Sequence, residues 1–198
     1  MPVPYRNGQS KMRNRKPNRL KTFDYSTGGY YFVTICTKDH DIWFGQIENG
    51  AMELNQYGQI AGKIWTAIPD HFENTELDQF VVMPNHIHGI VVINDGMVGN
   101  RHACSLQKRQ HQTIPVIIGS YKSAVTKCIH QIKDGRNFHW QKSFFDHVIR
   151  DEKSFEAIRE YIAHNPLKWD MDVENPGHFS VDSVTYYNRI IKAQGMVT

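Results

Sequence analysis

Cysteine is scarce. Cys36, Cys104 and Cys128 are scattered through 198 residues and odd in number. That excludes a disulfide framework as the device that organises the fold, and fits reduced thiols in a cytoplasm. No Cys-x-x-Cys pair occurs, so a structural zinc knuckle is not expected. No apolar run is long enough to cross a bilayer, so no membrane partner is expected. The N-terminus is polar and basic without an apolar stretch, which is not the pattern of a secretory signal. A Gly-x-x-x-x-Gly-Lys-Ser/Thr loop is missing, so nucleotide hydrolysis is not indicated. Internal repeats and low-complexity linkers are also missing. Acidic residues are absent from positions 1–22, which carry Arg6, Lys11, Arg13, Arg15, Lys16, Arg19 and Lys21. Removing those seven leaves 16 basic against 20 acidic residues. A basic arm on a slightly acidic body suggests a polyanionic partner, and a solvated tail reads equally well from charge alone.

The remainder has the makings of one domain with extensions, since 40% of the chain is hydrophobic. Tyr30 to Thr37 is aromatic and β-branched and reads as a strand. Trp43–Ile47 and Ala51–Leu54 flank Asn49-Gly50, a hairpin signal. Tyr57, Ile60, Ala61, Ile64, Trp65 and Ile68 form one helical stripe, capped by Asn55 and closed by Pro69. Leu77–Met83 and His86–Ile93 read as antiparallel strands joined at Pro84-Asn85. Residues 95–112 read as a mobile loop. A second helix is expected from Ile114-Pro115, with Thr113 as cap, Ile118, Tyr121, Val125, Cys128, Ile129 and Ile132 as stripe, and Asp134-Gly135 as stop. The aromatic stretch Phe138–Ile149 has room for a short strand. Asp151 then caps a third helix carrying Phe155, Ile158 and Ile162, which Pro166 ends by pushing residue 165 out of the helical region. The order implies an α+β fold, helices on an antiparallel sheet, with the His86–Ile93 strand near its centre.

Chemistry concentrates at Met83-Pro84-Asn85-His86-Ile87-His88-Gly89. Alternate residues of a strand share a face, so His86 and His88 stand together and Ile87 faces away. Two imidazoles on a rigid element make half a metal site; two histidines satisfying local hydrogen bonds fit the same spacing. A metal needs a further ligand and a reaction needs a nucleophile. Tyr161 and Asn165 lie one helical turn apart beside the apolar stripe of the third helix and offer both. A boundary tyrosine and a helix-end asparagine fit those positions too. Tyr121 is a rival nucleophile, although its stripe points to burial. His139, His147 and His164 read as hydrogen-bonding or phosphate-contacting residues.

Taken in order, Asp24-Tyr25-Ser26, Tyr31-Phe32-Val33-Thr34-Ile35, Val81 through Gly89, Ser123 to Lys127, His139-Trp140-Gln141, His147 to Asp151 and Tyr161-Ile162-Ala163-His164-Asn165-Pro166-Leu167-Lys168 form a specific pattern. With them the chain resembles the IS200/IS605-like Y1 family of HUH transposases, in the branch called REP-associated tyrosine transposases. The resemblance implies a ferredoxin-like or RRM-like antiparallel sheet covered by helices, the HUH endonuclease fold. It implies His86, His88 and Asn165 as ligands of Mg²⁺ or Mn²⁺, and Tyr161 as the nucleophile of a single-stranded DNA strand transferase working through a 5′-phosphotyrosine link. The partner implied is single-stranded or hairpin DNA of REP or palindromic type, bound in a cytoplasmic, nucleoid-associated setting by a monomer or homodimer. Arg13, Arg15, Lys16, Arg19, Lys21, Lys122, Lys127, Arg150 and Lys168 are candidate phosphate contacts, with Lys142 a further one. Trp140, Phe144 and Phe145 are candidates for base stacking or for the core. The division expected is a basic arm at 1–24, a catalytic domain at 25–170 and an extension at 171–198. The competing readings are a catalytically silent hairpin-binding protein, a Rep- or relaxase-like nickase and, last, a zinc hydrolase.

Overall fold

The computed structural model describes residues 28–94, 113–177 and 183–193. In chain order these form β1 (Gly29–Cys36), a 3-10 turn (Lys38–His40), β2 (Gly45–Glu48), β3 (Ala51–Leu54), α1 (Gln56–Thr66), α2 (Ile68–His71), β4 (Thr75–Val82), β5 (His86–Ile93), α3 (Ile114–His130), β6 (Phe145–Ile149), α4 (Glu152–His164), a 3-10 helix (Pro166–Met171) and α5 (Ser183–Ala193). The main sheet runs β4-β5-β1-β6 and every pairing is antiparallel. Two β-α-β halves interleave in it, the ferredoxin-like topology. The α+β expectation is therefore the observed architecture. At the hairpin between β2 and β3, Asn49 and Gly50 take φ of 50° and 76°, the left-handed pair that a two-residue primed turn requires.

β5 is buried along its whole length because both faces of the sheet are covered. Ile87, Val91 and Ile93 join Tyr31, Val33 and Ile35 in a core beneath α1 and α3 that includes Trp65, Tyr121 and Val125. Ile90 and Val92 join Phe32 in a second core with Ile158, Tyr161 and Ile162 of α4 and Tyr187 of α5. Each such buried side chain contributes about 1.5–3 kcal/mol of transfer free energy. Gly89 has a specific reason to be glycine: a Cβ there would lie 2.3 Å from Cζ2 of Trp65. Period-two alternation thus commits β5 to one hydrophobic face under α1 and α3, and to one face that starts with His86 and His88 under α4.

Several local expectations are corrected. Pro69 does not close the first helix. α1 stops at Thr66, and Pro69 sits in the first turn of α2, where its missing N–H costs nothing. Asn165 keeps helical angles (φ −59°, ψ −41°), and Pro166 starts the following 3-10 helix. The restriction before proline yields there because the side chain of Asn165 is held by a tertiary bond to Asp172. Thr113 stands at the N-cap of α3 but makes no side-chain capping bond. Asn55 and Asp151 do cap, accepting from Tyr57 and Gly58 and from Ser154 respectively. The expected loop at 95–112 lies outside the described residues. No helix among the described residues is long and apolar enough to cross a membrane.

Candidate metal and tyrosine site

His86 and His88 are fully buried, and their Nε2 atoms lie 3.0 Å apart. The hydrogen-bond network fixes the state of His86. Asn85, also buried, donates through Nδ2 to the carbonyls of His40 (3.0 Å) and Glu174 (2.7 Å). With its amide spent on those donations, Oδ1 of Asn85 is the acceptor facing Nδ1 of His86 at 2.8 Å. A neutral His86 therefore carries its proton on Nδ1 and turns a bare Nε2 lone pair into the site. Burial, followed by the neighbouring His88, lowers the His86 pKa to about 3, so the ring is neutral at ordinary pH. His88 is oriented in the same sense by Thr34, whose Oγ1 is 2.9 Å from Nδ1. Such outer partners are what hold ligating imidazoles in place.

α4 brings the other two expected residues to the same point. The hydroxyl of Tyr161 lies 3.1 Å from Nε2 of His88 and donates to Oδ2 of Asp172 at 3.3 Å. Asn165, one turn on, donates through Nδ2 to the same Oδ2 at 2.7 Å. Its Oδ1 is left buried without a hydrogen-bond partner, an acceptor available to a cation. Tyr161 is only 8% exposed, with Tyr186 and Tyr187 of α5 edge-on against it. Burial, then the charge of Asp172, pushes its phenol well above the usual tyrosine value. By itself the protein disfavours the phenolate.

Asp172 is the participant that sequence reading missed. It is fully buried, and its carboxylate and the two imidazoles each place a ligand atom within 4.8 Å of the others. Burial alone would raise its pKa. Interaction with the two neighbouring imidazoles, Nε2 of His88 lying 3.9 Å from Oδ2, outweighs that and holds it below the ordinary carboxylate range. Oδ1 accepts from the Glu174 backbone at 2.7 Å, a local turn that aims Oδ2 at the site. Two imidazole nitrogens, a carboxylate oxygen and an orphaned amide oxygen form a donor set that suits an octahedral divalent ion with waters completing the shell.

The rival and the outlying candidates lie elsewhere. Tyr121 is on the opposite face of the sheet, buried, with its hydroxyl spent on the carbonyl of Ala61. Trp140 and Phe144 are partly buried and pack against the core under α1 and α3, and Phe145 against the other. His164 is exposed and bonds the carbonyl of Glu160. Lys122 points inward, its Nζ donating to the carbonyl of Gln141 at 2.5 Å, because its stem is half-buried. Lys127, Lys142, Arg150 and Lys168 are exposed. Arg13, Arg15, Lys16, Arg19 and Lys21 lie outside the described residues.

No family model matches the chain. An uncharacterized protein of Haemophilus influenzae is 38% identical over 172 residues, spanning 81% of this chain and 93% of the relative. At that identity and coverage the two belong to one family. A second Haemophilus influenzae protein, provisionally named a REP-associated tyrosine transposase, is 24% identical over 151 residues, 73% of this chain and 74% of that one. Among solved structures, a REP-associated tyrosine transposase bound to a REP hairpin aligns with a TM-score of 0.50 at 19% identity. It covers 91% of this chain and 88% of that one, which establishes a shared fold.

Proposed function

The chain resembles the REP-associated tyrosine transposases in fold and, distantly, in sequence; from that premise we propose that it is a metal-dependent single-stranded DNA transposase whose nucleophile is Tyr161. One observation carries the reading: the phenol oxygen stands 3.1 Å from Nε2 of His88, in a buried cluster otherwise made of cation ligands. In the reaction the Tyr161 oxygen gives up its proton and attacks the scissile phosphorus, the bond to the 3′ oxygen breaks and that oxygen takes up a proton, so that one strand ends in a free 3′-OH and the other stays on the protein as a 5′-phosphotyrosine. Asp172 accepts from the phenol and so directs its lone pair. His86, His88, Asn165 and Asp172 would hold Mg²⁺ or Mn²⁺. When bound, that ion supplies Lewis-acid stabilisation of the phosphate charge and offsets the burial that keeps the phenol protonated. The substrate class is a DNA hairpin with a single-stranded flank, and the setting is cytoplasmic. Residues 1–24 act as a binding arm, and 25–170 with Asp172 as the catalytic unit.

The decisive experiment incubates the full chain with hairpin-flanked single-stranded DNA and Mn²⁺. The expected result is a denaturant-resistant protein–DNA adduct that Tyr161→Phe lacks. An undiminished adduct in that variant overturns the assignment of the nucleophile. Rejoining of cut strands separates a transposase from a nickase. One observation favours a second reading, a hairpin-binding protein that does not cut: α5 covers the tyrosine. Tight DNA binding without any metal-dependent adduct is the outcome that supports it.

A further inference from the structure

Beside this site lies a second cluster that the proposed reaction does not use. Cys36 ends β1, His40 sits in the 3-10 turn that follows, and Glu174 comes two residues after Asp172. One donor atom from each lies within 4.8 Å of the other two. We infer that Cys36, His40 and Glu174 form a separate cation site of the zinc class, which pins the segment carrying Asp172 to the end of β1.

The geometry argues for a shared cation over a simple ion pair. Nδ1 of His40 is 3.2 Å from Oε2 of Glu174, yet it is buried and makes no hydrogen bond. Nitrogen and oxygen ligands of one tetrahedral zinc ion sit about 3.3 Å apart without being aimed at each other, given metal–ligand lengths of about 2.0–2.2 Å. His40 and Glu174 have outer partners of the kind that hold metal ligands in place. The other ring nitrogen of His40 is 2.8 Å from the side-chain amide nitrogen of Gln141; an ion on Nδ1 requires that amide turned over, so that its oxygen accepts from Nε2–H and Nδ1 is left bare. Tyr187 donates to Oε1 of Glu174 at 2.8 Å, which leaves Oε2 for an ion. Nδ2 of Asn85 ties the backbones of His40 and Glu174 together. The turn is strained to achieve this: Asp39 and His40 have φ of 53° and 59°, a conformation that L side chains adopt at a cost. A thiol, an imidazole and a carboxylate are a soft and borderline set that suits zinc over magnesium. Glu174 is 3% exposed and Asp172 fully buried. A buried carboxylate is costly unless positive charge joins it, and a cation shared with His40 would supply that charge to Glu174. Chain distance hid the cluster, since Cys36 and His40 stand only as an isolated Cys-x-x-x-His pair and Glu174 lies far along the chain from both. The inference does not rest on the transposase reading.

The test strips the full chain with chelator and titrates it with Co²⁺, whose thiolate charge-transfer band reports sulfur ligation. The expected result is a near-ultraviolet band that saturates at one equivalent, yields to Zn²⁺, persists when His86 and His88 are both changed to glutamine, and vanishes in Cys36→Ser. Glu174→Gln and His40→Gln are each expected to weaken Co²⁺ binding at this band at least tenfold. His40 lies on a partly exposed turn, so His40→Gln answers the question even where Cys36→Ser fails to fold. Absence of the band in the unaltered chain, a band that survives Cys36→Ser, or full affinity in folded His40→Gln overturns the inference.

Discussion

His86 is a neutral base buried in a place where an unfolded chain would leave it free to protonate. Its folded pKa is lowered to about 3, while the unfolded imidazole titrates near 6.5. Between those values the unfolded chain binds the extra proton, so stability rises with pH there and is lost as pH falls below about 6.5. For this one group the loss is about 1.4 kcal/mol per pH unit. His147, lowered by burial and then by Arg150, works in the same direction. In chelator, urea midpoints measured from pH 7 to 4 should fall steeply, and His86→Gln should flatten the slope by about one proton. An unaltered slope in that variant would mean that the ring is not held neutral. Asp172 makes a second prediction at this scale. If its carboxylate is a ligand, Asp172→Asn, which keeps the shape and can still accept from Tyr161, should weaken Mn²⁺ binding by about 10–100-fold in calorimetry. Unchanged affinity would confine Asp172 to orienting the phenol.

Among the elements, β5 carries the greatest demand, because it must fit α1 on one side and present ligands to α4 on the other. Gly89→Ala should cost about 1–3 kcal/mol, since the new methyl meets the Trp65 ring in a closely packed core. Thermal unfolding would read this as a lowered Tm, and Trp65→Phe should relieve part of it; an unshifted Tm would show that the ring gives way freely. The elements also mark where sequence is readable. His86 with His88 on a strand and Tyr161 with Asn165 on a helix were legible because each pair obeys a local period. The hairpin at Asn49-Gly50 was legible because its turn demands left-handed residues. Asp172 and Glu174 follow a 3-10 helix where no period applies, and their burial arises only when that segment closes over the ends of β1 and β5. The path of the chain at Asn165 was misread for a related reason: a tertiary bond to Asp172 outweighs the local preference before Pro166. α5, with an apolar stripe that sequence alone left unassigned, completes the roof over Tyr161. Because that roof leaves the phenol 8% exposed, removal of residues 183–198 should raise the rate of adduct formation several-fold. A rate that is unchanged would show that DNA reaches Tyr161 with α5 in place.

Over the whole molecule the charge is divided. The seven basic residues of positions 1–22 outnumber the net charge of +3, leaving a body of excess acid. A body of that sign repels a DNA backbone except where exposed cations such as Lys127, Arg150 and Lys168 stand against it, so long-range attraction must come from the arm. Each phosphate neutralised by the arm releases counterions, and for a single strand each such contact adds about 0.7 to the slope of log affinity against log salt. Deleting residues 1–22 should therefore weaken binding to hairpin-flanked single-stranded DNA at low salt and make that slope shallower, by up to about 5 if all seven cations engage. The binding deficit should shrink as salt rises, because the lost interaction is the one that salt screens. Unfolding midpoints should not change, since the described core draws on none of these residues. The measurement is a salt series of fluorescence-anisotropy titrations on the two proteins. Parallel salt slopes would show that the arm is a solvated tail and that the body alone holds the DNA.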